Sequence, residues 1–247
     1  MMAAAVMAAC SGDVEMTGVQ QGRFTLGLST DGMNVEVETR VAHELTASEA
    51  ADYNVTLVQG GDTMWTKRFA EITEPDRTQP LAEGYVVSAE NCTKEDAEAS
   101  NAGWGQRRFA GESEPFDIVS GITTPVVVNC SMQNAGLGVV FDESFTSFFS
   151  EYAVTTDDSR ALKFNATNDG IIAYYNTDET GVRTVDVIIS ASAGWDGTVR
   201  LQRTLTLEKG KTMRLRVRKG APQEGNIGPS ITTDDFSEGE GEEIMLE

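Results

Sequence analysis

Two stretches of the chain, Phe116–Val128 (FDIVSGITTPVVV) and Leu205–Val217 (LTLEKGKTMRLRV), carry one pattern at identical offsets. Two apolar residues with one residue between them are followed by a glycine, a threonine and two more alternating apolar residues. Apolar residues at every second position are typical of half-buried strands, and glycine readily adopts the positive φ that a tight turn needs. Each copy therefore predicts a strand, a turn and a strand, although any hairpin with a glycine turn would look similar.

This repeat, with the alternation seen in Arg23–Ser29 and Val182–Ser190, predicts an all-β fold of two tandem β-sandwich domains. The predicted segments are a lipoprotein signal and tether (1–21), an N-terminal β-sandwich (22–131), a C-terminal β-sandwich (132–219) and an acidic, mobile tail (220–247). As an alternative to a mobile tail, Ile231 or Ile244–Leu246 could add an edge strand.

The composition excludes several classes of protein. The 247 residues include 19 basic and 39 acidic ones, a net charge of −20, and the hydrophobic fraction of 40% is enough for a core. Nucleic-acid binding requires clustered Lys and Arg, so we expect no nucleic-acid partner. Beyond the N-terminus, no stretch reaches the ~18–20 consecutive apolar residues of a membrane helix.

The N-terminus predicts a lipid anchor at Cys10. Met7-Ala8-Ala9-Cys10 ends a short apolar run and resembles a bacterial lipobox, in which the peptide is cut before the cysteine that then carries palmitate and other acyl chains. The run has no Lys or Arg before it, unlike an ordinary signal peptide, and the alternative is an alanine-rich terminus with a chance cysteine. Asp13 and Glu15 resemble the acidic signal that exports such lipoproteins to the outer face of the outer membrane.

Cys92 and Cys130 are the two other cysteines, and each ends an apolar, strand-like run. In an exported protein the surroundings are oxidising, so the two could form a disulfide. The alternative is two buried free thiols, because free cysteine packs as a small hydrophobe.

The sequence predicts no enzyme, no cofactor and no metal site. His43 is the only histidine, so any Ser-His-Asp or Cys-His arrangement would depend on it. One histidine and the absence of CxxC spacing disfavour zinc and iron, and no EF-hand spacing supports calcium. Glycine-rich stretches show neither GxGxxG nor a P-loop pattern.

Two loops are candidates for ligand binding. Gly103-Trp104-Gly105 and Gly194-Trp195-Asp196-Gly197 each hold a tryptophan between glycines, and an exposed ring there could stack on a sugar. The alternative is that each tryptophan caps a sandwich core. Asp62-Thr63-Met64 resembles the site at which Bacteroides-type bacteria O-glycosylate exported proteins, which makes Thr63 a candidate for modification.

Three phrases carry a resemblance to a known family. The phrases are Leu81-x-x-Gly84-Tyr85-x-Val87-x-Ala89, Phe109-Ala110-Gly111, and Val128-x-Cys130-x-x-x-Asn134 before Gly136-Leu137-x-Val139-x-Phe141. They are similar to an uncharacterised domain family that occurs in surface lipoproteins of Bacteroides-type bacteria and resembles the fimbrillin-like proteins of pili and adhesion. The resemblance covers roughly 22–219 and implies tandem transthyretin- or immunoglobulin-like sandwiches without catalytic residues.

The sequence therefore favours a surface-exposed lipoprotein of the outer membrane with a structural or adhesive, fimbria-like role. Its expected partners are the membrane, through lipid on Cys10, and other surface or fimbrial proteins. The alternative function is glycan binding through Trp104 and Trp195.

Overall fold

A computed structural model describes residues 20–31, 42–193, 198–220 and 231–238, and every statement below refers to these residues. They form seventeen strands, three short α-helices and three 3₁₀ turns, which confirms the predicted all-β class. The helices are α1 (Ala47–Ala50), α2 (Lys94–Ala99) and α3 (Glu143–Thr146).

The first nine strands lie in one hydrogen-bonded sheet with the order β2-β1-β9-β7-β6-β3-β4; β5 pairs with β1 and β8 with β6. The strands are β1 (Gln21–Asp31), β2 (Ala42–Glu44), β3 (Asn54–Gln59), β4 (Asp62–Arg68), β5 (Thr78–Pro80), β6 (Ala82–Glu90), β7 (Phe109–Glu112), β8 (Phe116–Ile118) and β9 (Thr123–Met132).

The other eight strands form two four-stranded sheets, with the orders β13-β10-β16-β17 and β12-β11-β14-β15. The strands are β10 (Asn134–Phe141), β11 (Glu151–Thr156), β12 (Lys163–Phe164), β13 (Ile172–Asn176), β14 (Val182–Ser192), β15 (Thr198–Glu208), β16 (Thr212–Lys219) and β17 (Ile231–Glu238).

Two separate clusters of buried side chains fill the fold. The N-terminal core gathers inward residues of β1, β3, β6 and β9, such as Phe24, Tyr85 and Val128. The C-terminal core lies between the two four-stranded sheets and includes Leu137 and Val187. The division between the cores falls between 132 and 134, and the domain bounds 22–131 and 132–219 stay a prediction.

The repeated sequence pattern corresponds to a repeated connection. Gly121 and Gly210 have φ of 76° and 77°, so both supply the turn that the pattern predicts. The turn does not close a hairpin, because β8 pairs with β6 while β9 pairs with β1, and β15 pairs with β14 while β16 pairs with β10. In each copy the strand after the turn lies parallel to the first strand of its own core.

The predicted mobile tail is wrong for residues 231–238, which form β17 and pair antiparallel with β16. Opposite charges accompany the pairing: Asp234 lies 3.1 Å from Arg218, and Asp235 lies 3.4 Å from Arg203 of the facing sheet. Ile231 packs against the C-terminal core, as the edge-strand alternative requires. Residues 221–230 and 239–247 of the predicted tail lie outside the described residues.

A carboxylate organises the loop that follows β4. Thr73 donates to Asp76 Oδ2 from its backbone N–H (2.8 Å) and its hydroxyl (2.7 Å), and Lys67 Nζ lies 2.5 Å from Asp76 Oδ1. The hydrogen bonds from Lys67 and Thr73 lower the pKa of Asp76 from 3.8 to about 2. The loop is thus fastened to β4, beside Trp65, which packs against the N-terminal core.

We expect Asp76→Asn to lower the free energy of unfolding by about 1–2 kcal/mol at neutral pH, since it removes hydrogen bonds to a charged group. A lowered pKa stabilises the fold above the unfolded pKa and loses that effect as pH falls. The gap between wild type and variant should therefore close as pH falls from about 4 to about 2. Urea unfolding at several pH values measures it, with exposed Asp169→Asn as the control. A difference in unfolding free energy that stays constant down to pH 2 would show that the charged Asp76 carboxylate does not stabilise the fold.

Candidate functional site

The segment between β6 and β7 connects the two cores, and we call residues 93–108 the joint. It begins with α2, which starts because the Thr93 side chain accepts a hydrogen bond from the N–H of Asp96 (3.1 Å). After α2 the backbone turns sharply, and Asn101 and Ala102 adopt positive φ. The joint then runs along the C-terminal core before returning to β7.

The two glycines of Gly103-Trp104-Gly105 serve this turn. Both have positive φ, 87° and 77°. At Gly105 a Cβ atom would also lie 2.8 Å from the carbonyl oxygen of Tyr174 and 2.9 Å from that of Ala97. Only glycine fits between these two carbonyls, so the motif arises from close packing of the joint on β13.

Trp104 lies against the C-terminal core. Its ring meets Phe164 edge-on, with the ring centroids 4.9 Å apart and an interplanar angle of 86°. Its carbonyl accepts a hydrogen bond from the N–H of Tyr174 at 2.7 Å. Trp104 therefore caps the C-terminal core, which is the alternative to stacking on a glycan.

Arg160 fastens the joint from the C-terminal side. Its Nη1 donates to the carbonyl oxygens of Gly103 (3.0 Å) and Tyr174 (2.9 Å), and its guanidinium carbon lies 3.8 Å from the ring centroid of Tyr175. The carboxylates of Glu98 and Asp158 each lie 3.7 Å from it. These charge-assisted hydrogen bonds are stronger than neutral ones, and they link the joint to β13 of the C-terminal core.

Asn134 ties the joint to the point where one core gives way to the other. It is 1% exposed; its side-chain amide donates to the carbonyl of Gln106 (2.7 Å) and accepts from the N–H of Arg108 (3.1 Å). Arg107 donates to the hydroxyl of Tyr174 at 2.9 Å. Among these partners of the joint, only Asn134 belongs to a pattern recognisable in the sequence, the one that carries the family resemblance.

An open groove of about 650 Å³ runs over the outer face of β3, β6 and β7, and we call it the N-terminal groove. Glu90 and Arg108 form an ion pair of 2.7 Å within it, and the hydroxyls of Thr56 and Thr66 share a hydrogen bond of 2.9 Å. Its other polar lining residues are Asn54, Ser88, Glu112 and Gln133. Such a lining offers hydrogen bonds and no aromatic platform.

A second open groove of about 540 Å³, the C-terminal groove, lies on the outer face of β11 and β14. Tyr152 and Lys163 line it together with several hydroxyl groups. Ser192 and Thr198 also line it, and the chain between them carries Trp195. Residues 194–197 lie outside the described residues, so Trp195 stays a sequence-based candidate. The hydroxyl groups belong to Ser150, Thr155, Thr167, Ser190, Ser192 and Thr198.

Cys92 and Cys130 are both buried free thiols, the alternative to the predicted disulfide. Burial raises the pKa of Cys130 to about 11 and also raises the pKa of Cys92. Burial raises the pKa of Tyr53 to about 12, and the two cysteines contribute to the rise. Neither thiol is activated for nucleophilic chemistry, which requires a lowered pKa.

The remaining predicted site residues do not come together. Thr63 is exposed in β4, accessible to a modifying enzyme. His43 lies in β2, and Cys10 lies outside the described residues. Within the described ranges, no group of three or more His, Cys, Asp or Glu side chains could hold a metal ion. No helix in that part of the chain is long and apolar enough to cross a membrane.

The chain is thus an all-β protein whose two cores are joined tightly, with polar grooves on its outer faces. It belongs to the family Domain of unknown function (DUF4493), whose profile matches residues 20–247, and the predicted membership of an uncharacterised family is confirmed. A comparison with curated protein sequences finds no match.

Solved structures with a similar fold include fimbrial proteins. A fimbrial assembly protein from Parabacteroides distasonis is 14% identical, with a TM-score of 0.43 over 85% of this chain and 97% of that one. The fimbrial anchor protein Mfa2 from Porphyromonas gingivalis is 9% identical, with a TM-score of 0.42 over 87% and 97% of the two chains.

The two thiols should be shielded from alkylation in the folded protein because burial raises both pKa values. In a Cys10→Ala background at pH 8, we expect iodoacetamide to label neither Cys92 nor Cys130 in the native state. Both should be labelled in denaturant without a reductant, as counted by mass spectrometry, with Cys130→Ala losing one label. Labelling that requires a reductant would instead establish the disulfide.

Proposed function

We propose that the protein is a surface-exposed lipoprotein of the outer membrane with a structural or adhesive role and no catalytic activity. The observation that carries the proposal is the joint. Clefts for small ligands lie preferentially between domains, and here that position is filled by Trp104, Arg160 and Tyr174. Side chains that fill the position between the two cores fix the cores relative to each other. A rigid unit of this kind suits a structural or adhesive protein, which presents a constant surface to its partners.

The outer faces support the same proposal. Both grooves are open and polar, and both lie on the outer faces of sheets. In the described part of the chain, the two thiols are buried and their pKa values are raised. Expected partners are other surface or fimbrial proteins, bound at the outer faces.

Lipid on Cys10 would attach this unit to the membrane. Residues 11–20 separate that cysteine from β1 and could span at most about 36 Å when fully extended. Each buried methylene of an acyl chain contributes about 0.8 kcal/mol, so two or three chains would hold the protein firmly. The acidic residues Asp13 and Glu15 direct the anchored protein to the cell surface in this proposal.

Labelling with a palmitate analogue should mark the wild-type protein, and protease treatment of intact cells should shave it. Cys10→Ala should abolish both signals because the acceptor thiol is lost, whereas Cys92→Ala should keep both. Gel fluorescence and immunoblotting measure the two readouts. Wild-type protein that is neither labelled nor shaved would refute the anchor and the surface location together.

A second candidate function, glycan binding, is favoured by the C-terminal groove. Its hydroxyl-rich lining suits a sugar, and Trp195 lies in the chain segment that links two lining residues, Ser192 and Thr198. Trp104 is a weaker candidate because its ring packs on Phe164.

Glycan arrays distinguish this function from a purely structural one. If the groove binds glycans, Trp195→Ala and Lys163→Ala should each lower the array signal, because they remove a stacking ring and a hydrogen-bond donor. Trp104→Phe should bind as wild type does, since it keeps an aromatic ring against Phe164. Arrays without signal, together with polymer ladders on unboiled gels, would support the structural role.

A further inference from the structure

The chain passes through the two cores along four strands in series: β1, β9, β10 and β16. In the N-terminal core, β1 lies parallel to β9 over eight residue pairs, from Arg23 opposite Thr123 to Thr30 opposite Cys130. In the C-terminal core, β10 lies parallel to β16 over six pairs, from Gly136 opposite Thr212 to Phe141 opposite Val217. Each core thus begins and ends on two adjacent, parallel strands, apart from the added edge strand β17.

Parallel pairing decides how such a core responds to tension. The chain enters β1 at one end of the pair and leaves β9 at the opposite end, so a pull on both termini drives the strands past each other along their lengths. The evenly spaced hydrogen bonds of a parallel ladder then all carry load at once. They must break together, whereas an antiparallel pair pulled from one end opens one bond at a time. The pair β10–β16 is loaded in the same way.

The connection between the two pairs has no slack. Only Gln133 separates β9 from β10, and its N–H donates to the carbonyl of Arg108 at 2.7 Å. Its side-chain amide donates to the carbonyls of Ala110 and Ser131, each at 3.0 Å. Tension therefore passes from one parallel pair to the next through ordered backbone.

We propose that the protein is a tension-bearing tether in which β1–β9 and β10–β16 are two mechanical clamps in series. The need for such clamps rests on the proposed function, because a partner that holds the chain near its C-terminal end would pull it against the anchor at Cys10, along both pairs of strands. The clamps themselves depend only on strand direction and register.

The last strand has the opposite geometry. β17 is antiparallel to β16, and Glu238 pairs with Thr212, the residue that also pairs with Gly136 at the start of β10. A pull on the C-terminus therefore peels β17 from Glu238 toward Ile231, one pair at a time. Its described side-chain anchors are the ion pairs of Asp234 and Asp235, a hydrogen bond from Arg203 to the Thr233 hydroxyl, and the apolar side chain of Ile231. β17 releases at low force, before either clamp yields.

The test is to stretch the full-length chain between peptide tags at its two ends in an optical trap. We expect a small extension at low force, then two large extensions at clearly higher force. At about 3.5 Å per residue, unfolding of residues 21–132 releases about 400 Å of chain and unfolding of 134–219 about 300 Å. The two lengths identify which clamp has failed.

Four fully buried valines provide matched variants. Val128 and Val217 lie in the clamp strands β9 and β16, whereas Val87 and Val187 lie in β6 and β14, outside the path of the load. Truncation to alanine should lower the melting temperature of all four variants. Only Val128→Ala should lower the force of the 400 Å event, and only Val217→Ala that of the 300 Å event.

Rupture forces that fall equally for Val87→Ala and Val128→Ala, or large events no stronger than the release of β17, would overturn the clamps. Those outcomes would leave the lipid anchor and surface location intact, because palmitate labelling and shaving measure them separately. Conversely, loss of labelling and shaving in cells would remove the anchor while the forces of the purified chain stayed as expected.

Discussion

The side-chain amide of Asn134 is the contact on which the arrangement of the two cores depends. It lies where the chain leaves β9 for β10, and it satisfies one donor and one acceptor of the joint, at Gln106 and Arg108. A buried amide that lost these partners would cost about 1–3 kcal/mol for each unpaired group. The joint therefore lies in one place, with Gly105 against Tyr174 and Trp104 against Phe164. The two hydrogen bonds of Asn134 therefore hold the joint, and through it the two cores, in a fixed arrangement.

Local patterns predicted much of the fold. The alternation in Val182–Ser190 puts Val185, Val187 and Ile189 on one face of a strand, and all three are buried. Gly121 and Gly210 were expected in turns and have positive φ. The pairing of strands was not predictable in this way, because it joins residues far apart in sequence. Nothing in the alternation of Phe24 and Leu28 indicates that β1 lies parallel to β9, a hundred residues later in the chain.

Non-local contacts also explain what was missed at the candidate site. The glycines beside Trp104 suggested an exposed loop, but Gly105 is required by carbonyl oxygens from α2 and β13 that no local pattern places there. No pattern in the sequence indicates the role of Arg160, because its hydrogen-bond partners come from two other segments of the chain. β17 was missed because Asp234 and Asp235 resemble a solvated tail until they are set against the arginines of β16 and β15.

The single residue between β9 and β10 has a consequence for the protein's resistance to proteases. Proteases cleave chain that can leave its hydrogen bonds and extend into an active site, and linkers between domains are the usual place. Here the crossing point, Gln133, is held by its own backbone and side-chain amides. A digestive enzyme would find no loose connection at this crossing. The protein would be lost by unfolding of a whole core rather than by one cut between its halves.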